Sequence, residues 1–152
     1  MVGQKSRPPL PGSSRHARPN IGILLRDPVQ EVVRRVSAGL AEAGFDDLRP
    51  AHTAVFQHIE ADGSRLTDLA ERAQMTKQSM GYLVDYLEER GYLERRRDET
   101  DRRATLICLT DRGWGQVRAG LAFIAGIEEE WAARLGKRRM RELRDALVEL
   151  RG

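Results

Sequence analysis

The sequence predicts a mainly α-helical protein that carries one small β-hairpin. Three observations predict it. Apolar residues recur at spacings of three and four over most of the 152 positions, the periodicity of amphipathic helices. Two short runs, residues 93–97 and 104–109, flank a charged turn and read as a pair of strands. Glycine, proline and an Asp-Gly pair cut the helical stretches into segments of ordinary length. A hydrophobic content of 40% with 32% charged residues fits such a chain, which is long enough for one domain with a real core, or one domain plus arms.

Residues 1–19 are rich in Pro, Gly, Ser and Arg without periodicity, and read as a disordered basic arm. The arm reads first as a solvated tail, with an accessory contact to phosphates as the sharper alternative. It holds Lys5, Arg7, Arg15 and Arg18 and no acid, so the formal net charge of +3 leaves residues 20–152 at −1. Any case for a nucleic-acid partner therefore rests on where charges sit, not on their total.

Residues 20–44 carry Ile21, Leu24, Leu25, Val29, Val32, Val33, Val36 and Leu40 at helical spacing. Pro28 interrupts them. Asp27-Pro28 either caps a shorter helix or kinks a longer one, and the kink is the reading adopted. Pro50 opens the next helix, with Phe56 and Ile59 on its apolar stripe and Asp62-Gly63 as its stop. Residues 65–75 read as a short helix with Thr67 as N-cap and Leu69 and Ala70 inward. Residues 76–93 follow, capped by Thr76 and closed near Gly91. Met80, Leu83, Val84 and Leu87 form one face, and Lys77, Gln78, Ser79, Gly81, Tyr82 and Asp85 lie off it.

Two short helices joined by a tight turn, the second with small polar residues at its exposed start, form the helix-turn-helix pattern. Such a helix enters a major groove with its N-terminal side chains against base edges. By itself the pattern fits a plain helical bundle equally well. The hairpin that follows tips the balance. Residues 95–110 set five arginines against three acids around a tip at 98–103, and Ile107 and Leu109 alternate as a half-buried strand requires. A charged hairpin placed directly after a recognition helix is a wing. Its tip arginines suit backbone phosphates or a narrow minor groove. Asp101, two residues from Arg103, can hold that guanidinium by a charge-assisted hydrogen bond. A solvated hairpin with surface ion pairs is the blander alternative.

Thr110 caps a long helix over 111–136, with Val117, Leu121, Ile124 and Trp131 towards a core. Residues 137–152 then place Met140, Leu143, Leu147 and Leu150 on one stripe. A terminal amphipathic helix with no other partner in so short a chain favours packing against a second copy. Capping of its own bundle is the alternative. The fold class is thus mainly α with a small β-hairpin wing: a winged helix-turn-helix domain plus a helical dimerisation region.

Residues 64–113 resemble the winged helix-turn-helix core of the MarR family of bacterial transcriptional regulators. The wing signature is Asp101-Arg102-Arg103, an apolar strand, then Leu109-Thr110-Asp111-Arg112-Gly113, and residues 87–96 match the end of the family's recognition helix and the start of its wing. The order of flanking helices extends the likeness to about 20–151. The resemblance implies a homodimer whose first and last two helices interleave with a partner's, while two winged domains read half-sites of an inverted repeat in double-stranded DNA. The expected division is a basic arm at 1–19, a dimerisation region at 20–47 and 111–152, and a DNA-binding domain at 48–110. Thr76, Lys77, Gln78, Ser79 and Tyr82 are the candidate readers, with Arg97, Asp101, Arg102 and Arg103 on the wing. The resemblance also implies a pocket for a small apolar or aromatic effector between the two regions, which His52, Phe56, Trp114 and Phe123 are candidates to line. Two features depart from the pattern: Pro28 in the first helix, and Gly81 in the recognition helix, at a cost of roughly 1 kcal/mol against alanine.

The remaining inventory argues against other classes. His52 and His58 are six residues apart, which does not put two ligands on one helical face, so neither a metal nor another cofactor is expected. One cysteine rules out a disulfide framework. Some relatives sense peroxide through a cysteine in the first helix, where this chain has none, and Cys108 reads as a plain strand residue on the face opposite Ile107 and Leu109. Three histidines, one cysteine, no Gly-rich phosphate loop and no G-x-S-x-G motif leave little for an enzyme. The chain has neither an apolar run near the roughly 20 residues that span a bilayer nor the apolar centre of a signal peptide, so a cytoplasmic location is expected. The leading reading is a dimeric, sequence-specific DNA-binding regulator of the repressor type; the alternative is a winged-helix module for protein–protein contact.

Overall fold

A computed structural model describes residues 19–98, 101 and 104–151. Among the described residues, six α-helices and one hairpin follow in order: α1 (Ile21–Glu42), a 3-10 turn (Pro50–His52) leading into α2 (Thr53–His58), α3 (Leu66–Arg72), α4 (Lys77–Glu89), β1 (Leu93–Arg97), β2 (Thr105–Leu109), α5 (Asp111–Leu135) and α6 (Lys137–Leu150).

Helix α1 starts where Asn20 Oδ1 accepts the amide of Ile23 at 3.0 Å, and it runs through Pro28 as one long helix. Proline supplies no N–H to the carbonyl one turn back, and the flanking bonds carry the helix past it. α1 packs on α5. Gly39 is the close point: a Cβ there would lie 2.7 Å from the Phe123 ring. An ion pair between Arg35 and Glu130, 2.6 Å long, ties the same two helices nearer their other ends.

The core sits in the winged domain. Val55, Leu69, Ala70, Met80, Val84, Leu87, Tyr92, Leu93, Ile107 and Leu109 are buried together, drawn from α2, α3, α4 and both strands. The strands pair antiparallel, with Leu93 opposite Leu109 and Arg97 opposite Thr105. Ser64 adds a bridge on the free edge of β2, exchanging both backbone bonds with Ile107 at 2.9 and 2.8 Å.

That bridge corrects two sequence expectations. It holds residues 64–65 extended, so α3 begins at Leu66 with Arg65 as its N-cap, and Thr67 does not cap it. The Thr67 hydroxyl donates to Asp68 instead. The loop carrying the bridge also covers the far face of β2. Cys108 is therefore buried alongside Ile107 and Leu109, where simple alternation had placed it outward. Gly63, at φ +97°, passes so close that a Cβ would lie 2.7 Å from Cys108 Sγ. Burial pushes the thiol pKa up, which disfavours the reactive thiolate.

The inward face of α5 also differs from expectation. Gly113, Gln116, Gly120 and Ile127 are buried, whereas Leu121 is 62% exposed and Ile124 also faces out. Small residues let α5 approach the rest of the protomer closely, while Leu121 and Ile124 lie on the outside. Leu143, Leu147 and Leu150 of α6 are exposed in the same way. Thr110 does cap α5, accepting the Gly113 amide at 3.1 Å while its hydroxyl donates to the Gly91 carbonyl.

Candidate nucleic-acid interface

Helix α4 is anchored on one side and bare on the other. Met80, Val84 and Leu87 are buried, so the helix can neither roll nor slide without opening the core. Thr76 Oγ1 accepts the Ser79 amide at 3.1 Å and its hydroxyl donates to Ser79 Oγ at 2.8 Å, which fixes the first turn. Lys77, Gln78 and Ser79 stand exposed on that turn. Tyr82 is 66% exposed, and its hydroxyl accepts from Gln78 Nε2 at 3.3 Å. Further along, Asp85 and Glu88 pair with Arg95 of β1, which locks the wing strand to the helix.

The structure brings the wing beside the start of α4. Arg97 is exposed at the end of β1. Asp98 and Asp101 close the turn at the tip: Asp101 N donates to Asp98 Oδ1 at 3.2 Å, and Ala104 N donates to the Asp101 carbonyl at 2.8 Å. Arg102 and Arg103 lie outside the described residues, and with them the expected pair between Asp101 and Arg103. One residue that sequence reasoning missed enters here. The Arg65 guanidinium donates to Asp98 at 3.0 Å and to Asp101 at 3.3 Å. Its partners are 33 and 36 residues away in sequence, so no local pattern marked it.

A second cluster joins the recognition helix to the rest of the protomer. Tyr92 Oη donates to Asp47 Oδ1 at 2.5 Å, and Tyr86 Oη donates to the Asp47 carbonyl at 2.6 Å. Arg112 reaches both Asp47 Oδ2, at 3.2 Å, and Tyr92 Oη, at 3.0 Å. Arg90 lies over the Tyr86 ring at 3.6 Å, and His52 stacks on that ring at 4.4 Å. Burial, assisted by the bond to Asp47, pushes the Tyr92 pKa up to about 12. Burial likewise holds His52 below its usual range, reinforced by Arg49 and Arg90. Its Nδ1 accepts the Arg49 amide at 3.0 Å, as a neutral imidazole can.

The four aromatic candidates for an effector pocket are not brought together in the protomer. His52 and Phe56 line a small cavity with Phe45, Leu48 and Gln116, of about 30 Å³. That is room for ordered water, well below the few hundred Å³ of an ordinary ligand pocket. Gln116 Oε1 is buried there without a hydrogen-bond partner among the described residues. Trp114 lines a different, open groove with Asp62, Glu94 and Arg96, and Phe123 rests on Gly39. Among the described residues, no three His, Cys, Asp or Glu side chains are grouped to hold a metal, and no helix is long and apolar enough to cross a membrane.

A helix pair whose second member shows its first turn, with a hairpin pinned beside it, is the winged helix-turn-helix of DNA-binding regulators. The sequence model of the MarR family matches residues 46–104, from the linker before α2 to the wing, and the fold is that of winged-helix regulators of this kind. It is 28% identical over 124 residues to the uncharacterized HTH-type transcriptional regulator YdcH of Bacillus subtilis, covering 79% of this chain and 84% of that one. Among solved structures it is similar to CouR from Rhodococcus jostii RHA1 bound to p-coumaroyl-CoA, with TM-score 0.66, 26% identity, and 86% and 91% of the two chains covered. It also shares its fold with the transcriptional repressor CouR bound to a 23-mer DNA duplex, with TM-score 0.69, 24% identity, and coverage of 88% and 93%.

Proposed function

We propose that the protein is a homodimeric repressor that binds an inverted repeat in double-stranded DNA and is released by a small apolar or aromatic effector. The observation that carries this reading is the division of α4. Met80, Val84 and Leu87 fix the helix in the core, while Lys77, Gln78, Ser79 and Tyr82 project from its free side. In this reading Gln78 and Ser79 meet base edges, Lys77 and Tyr82 meet bases or phosphate, and Thr76 holds the turn. Arg97, Arg102 and Arg103 serve the wing's contact with phosphates or minor groove, and Asp101 orients the tip.

Dimerisation is assigned to residues 20–47 and 111–152, and DNA binding to 48–110, with residues 1–19 outside both. The support is the apolar surface left on α1, α5 and α6: Leu24, Val29, Leu121, Leu147 and Val148 are all exposed in the protomer. So large an unpartnered face suits a second copy. For the effector, the support is the cavity between α1, α2 and α5 with its orphaned Gln116 oxygen, which a hydrogen-bond donor would satisfy. His52 and Phe56 belong to that cavity. Trp114 and Phe123 would join it only in a wider, rearranged pocket. CouR offers the parallel, having been captured once with a CoA thioester and once with DNA. Catalysis plays no part in this reading, and a cytoplasmic location goes with it.

Selection of bound sites from random duplex DNA tests it. The expected result is an inverted repeat whose half-sites are about one helical turn apart, bound with steep salt dependence. Failure to enrich any duplex would overturn the reading in favour of a protein-contact module.

A further inference from the structure

We infer that Arg65 is a positioning residue that sets the wing at its working distance from the recognition helix, by clamping Asp98 and Asp101 of the wing tip from the N-cap of α3. The inference rests on the DNA-binding reading above and adds to it a residue outside both the recognition helix and the wing.

The geometry is specific. Ser64 is paired with Ile107 of β2, so residue 65 emerges beside the hairpin and its side chain needs little length to reach the tip. One guanidinium nitrogen meets Asp98 Oδ2 at 3.0 Å and Asp101 Oδ2 at 3.3 Å. Asp98 is 8% exposed and takes the Asp101 amide on its other oxygen, so the clamp bears on the turn itself and not on a swinging side chain. A planar, multi-donor guanidinium suits such a bridge, whereas an ammonium is a point charge. The groove between wing and recognition helix is lined by Arg65, Lys77, Arg95 and Thr105. Its width follows from how the tip is tied to the start of α3.

Arg65 keeps 43% of its side chain exposed, and ion pairs of that kind contribute little to global stability. The expected signature is therefore in the wing and in DNA binding, with the melting temperature nearly unmoved. Arg65→Gln, Arg65→Lys, Asp98→Asn and the Arg65→Gln/Asp98→Asn pair are to be compared on a selected duplex and on a random one across a range of salt. Arg65→Gln should weaken specific binding about tenfold, and the double variant should be no weaker than the worse single, since both break one linkage. Arg65→Lys should recover only part of the loss. Additive losses, with a salt slope reduced by about one per protomer on both duplexes, would instead make Arg65 a phosphate contact and overturn the inference. So would full rescue by lysine. Amide exchange in the free protein supplies a readout that needs no DNA: Asp101 and Ala104 should exchange faster in Arg65→Gln. Unchanged exchange overturns the clamp even if the wild type binds DNA. A wild type that binds no duplex, with faster exchange in the variant, removes the DNA-binding reading and with it the clamp's working role.

Discussion

The hydroxyl of Tyr92 donates to the carboxylate of Asp47 across 2.5 Å, joining the residue that follows the recognition helix to the linker that follows α1. Tyr92 is buried, so the bond lies where water does not compete. Ionising this phenol is disfavoured in the folded state, where its pKa is pushed from 10.0 to about 12. The neutral form is the one favoured by folding, so the contribution is fully present below the unfolded value of 10.0. It is lost as pH rises towards about 12. In denaturant titrations, the wild type should lose about 1.4 kcal/mol per pH unit in that window, and Tyr92→Phe should lack this slope. At neutral pH the same variant should cost about 1–2 kcal/mol, the value of a buried hydrogen bond.

Gly113 sits where α5 meets the end of the recognition helix. A Cβ there would collide with the Tyr92 carbonyl oxygen and lie 2.9 Å from Leu109 Cδ2. Backbone cannot move aside as a flexible side chain can. Gly113→Ala should cost about 2–4 kcal/mol by urea denaturation, despite alanine's better helix propensity. A cost below that of an ordinary surface change would refute the contact.

Gly81 behaves in the opposite way. Its added Cβ would meet nothing closer than Leu66 Cδ2, at 3.9 Å, which is ordinary contact. That contact points towards α3, not towards the exposed readers. Gly81→Ala should stabilise the protein by up to about 1 kcal/mol and leave DNA affinity unchanged. Weakened binding with raised stability would show that the glycine serves close approach to DNA.

Leu147 and Leu121 are 43% and 62% exposed in the protomer. Replacing either with glutamate in a monomer should shift stability by no more than about 0.5 kcal/mol. In the proposed dimer it places a charge in an apolar interface. Sedimentation should then report dissociation, with loss of DNA binding at the same concentrations. A chain ending at Gly136, which lacks α6, should fail to dimerise. Persistence of the dimer in either case would move the interface elsewhere.

Gln78 is exposed on the first turn of α4, bonded only to the neighbouring Tyr82 hydroxyl in the contacts described. Gln78→Ala should cost about 1–3 kcal/mol on the preferred duplex and relax preference at one position per half-site. An unchanged preference in a binding-site selection would remove it from the readout.

Much of the fold was legible because its determinants are local. The heptad-like spacing of Met80, Val84 and Leu87 defines a buried face within one helix, and Thr76 and Thr110 cap the helices directly after them. Both strands were placed to within a residue, because turn residues and a change from helical to extended patterning mark them. Two misplaced details, the start of α3 and the side of Cys108, trace to Ser64 and its bridge to Ile107. That contact spans 43 residues, moved the start of α3 back to Leu66, and buried Cys108.

Hydrophobic periodicity and capping act over a few residues, so the helix-turn-helix, the hairpin after it and the exposed first turn of the recognition helix can be read along the chain. What holds these parts at fixed distances emerges from contacts between distant segments. Arg65 became a clamp because the chain folds back to set it beside Asp98 and Asp101. Asp47 became a hub because Tyr86, Tyr92 and Arg112 converge on it from three places in the chain. Gly113 and Gly39 proved to be contact points because side chains are missing there and other atoms fill the space. Polar partners and close approaches are pairwise and long-range, so they leave no period in the sequence, and they exist only once the chain has closed on itself.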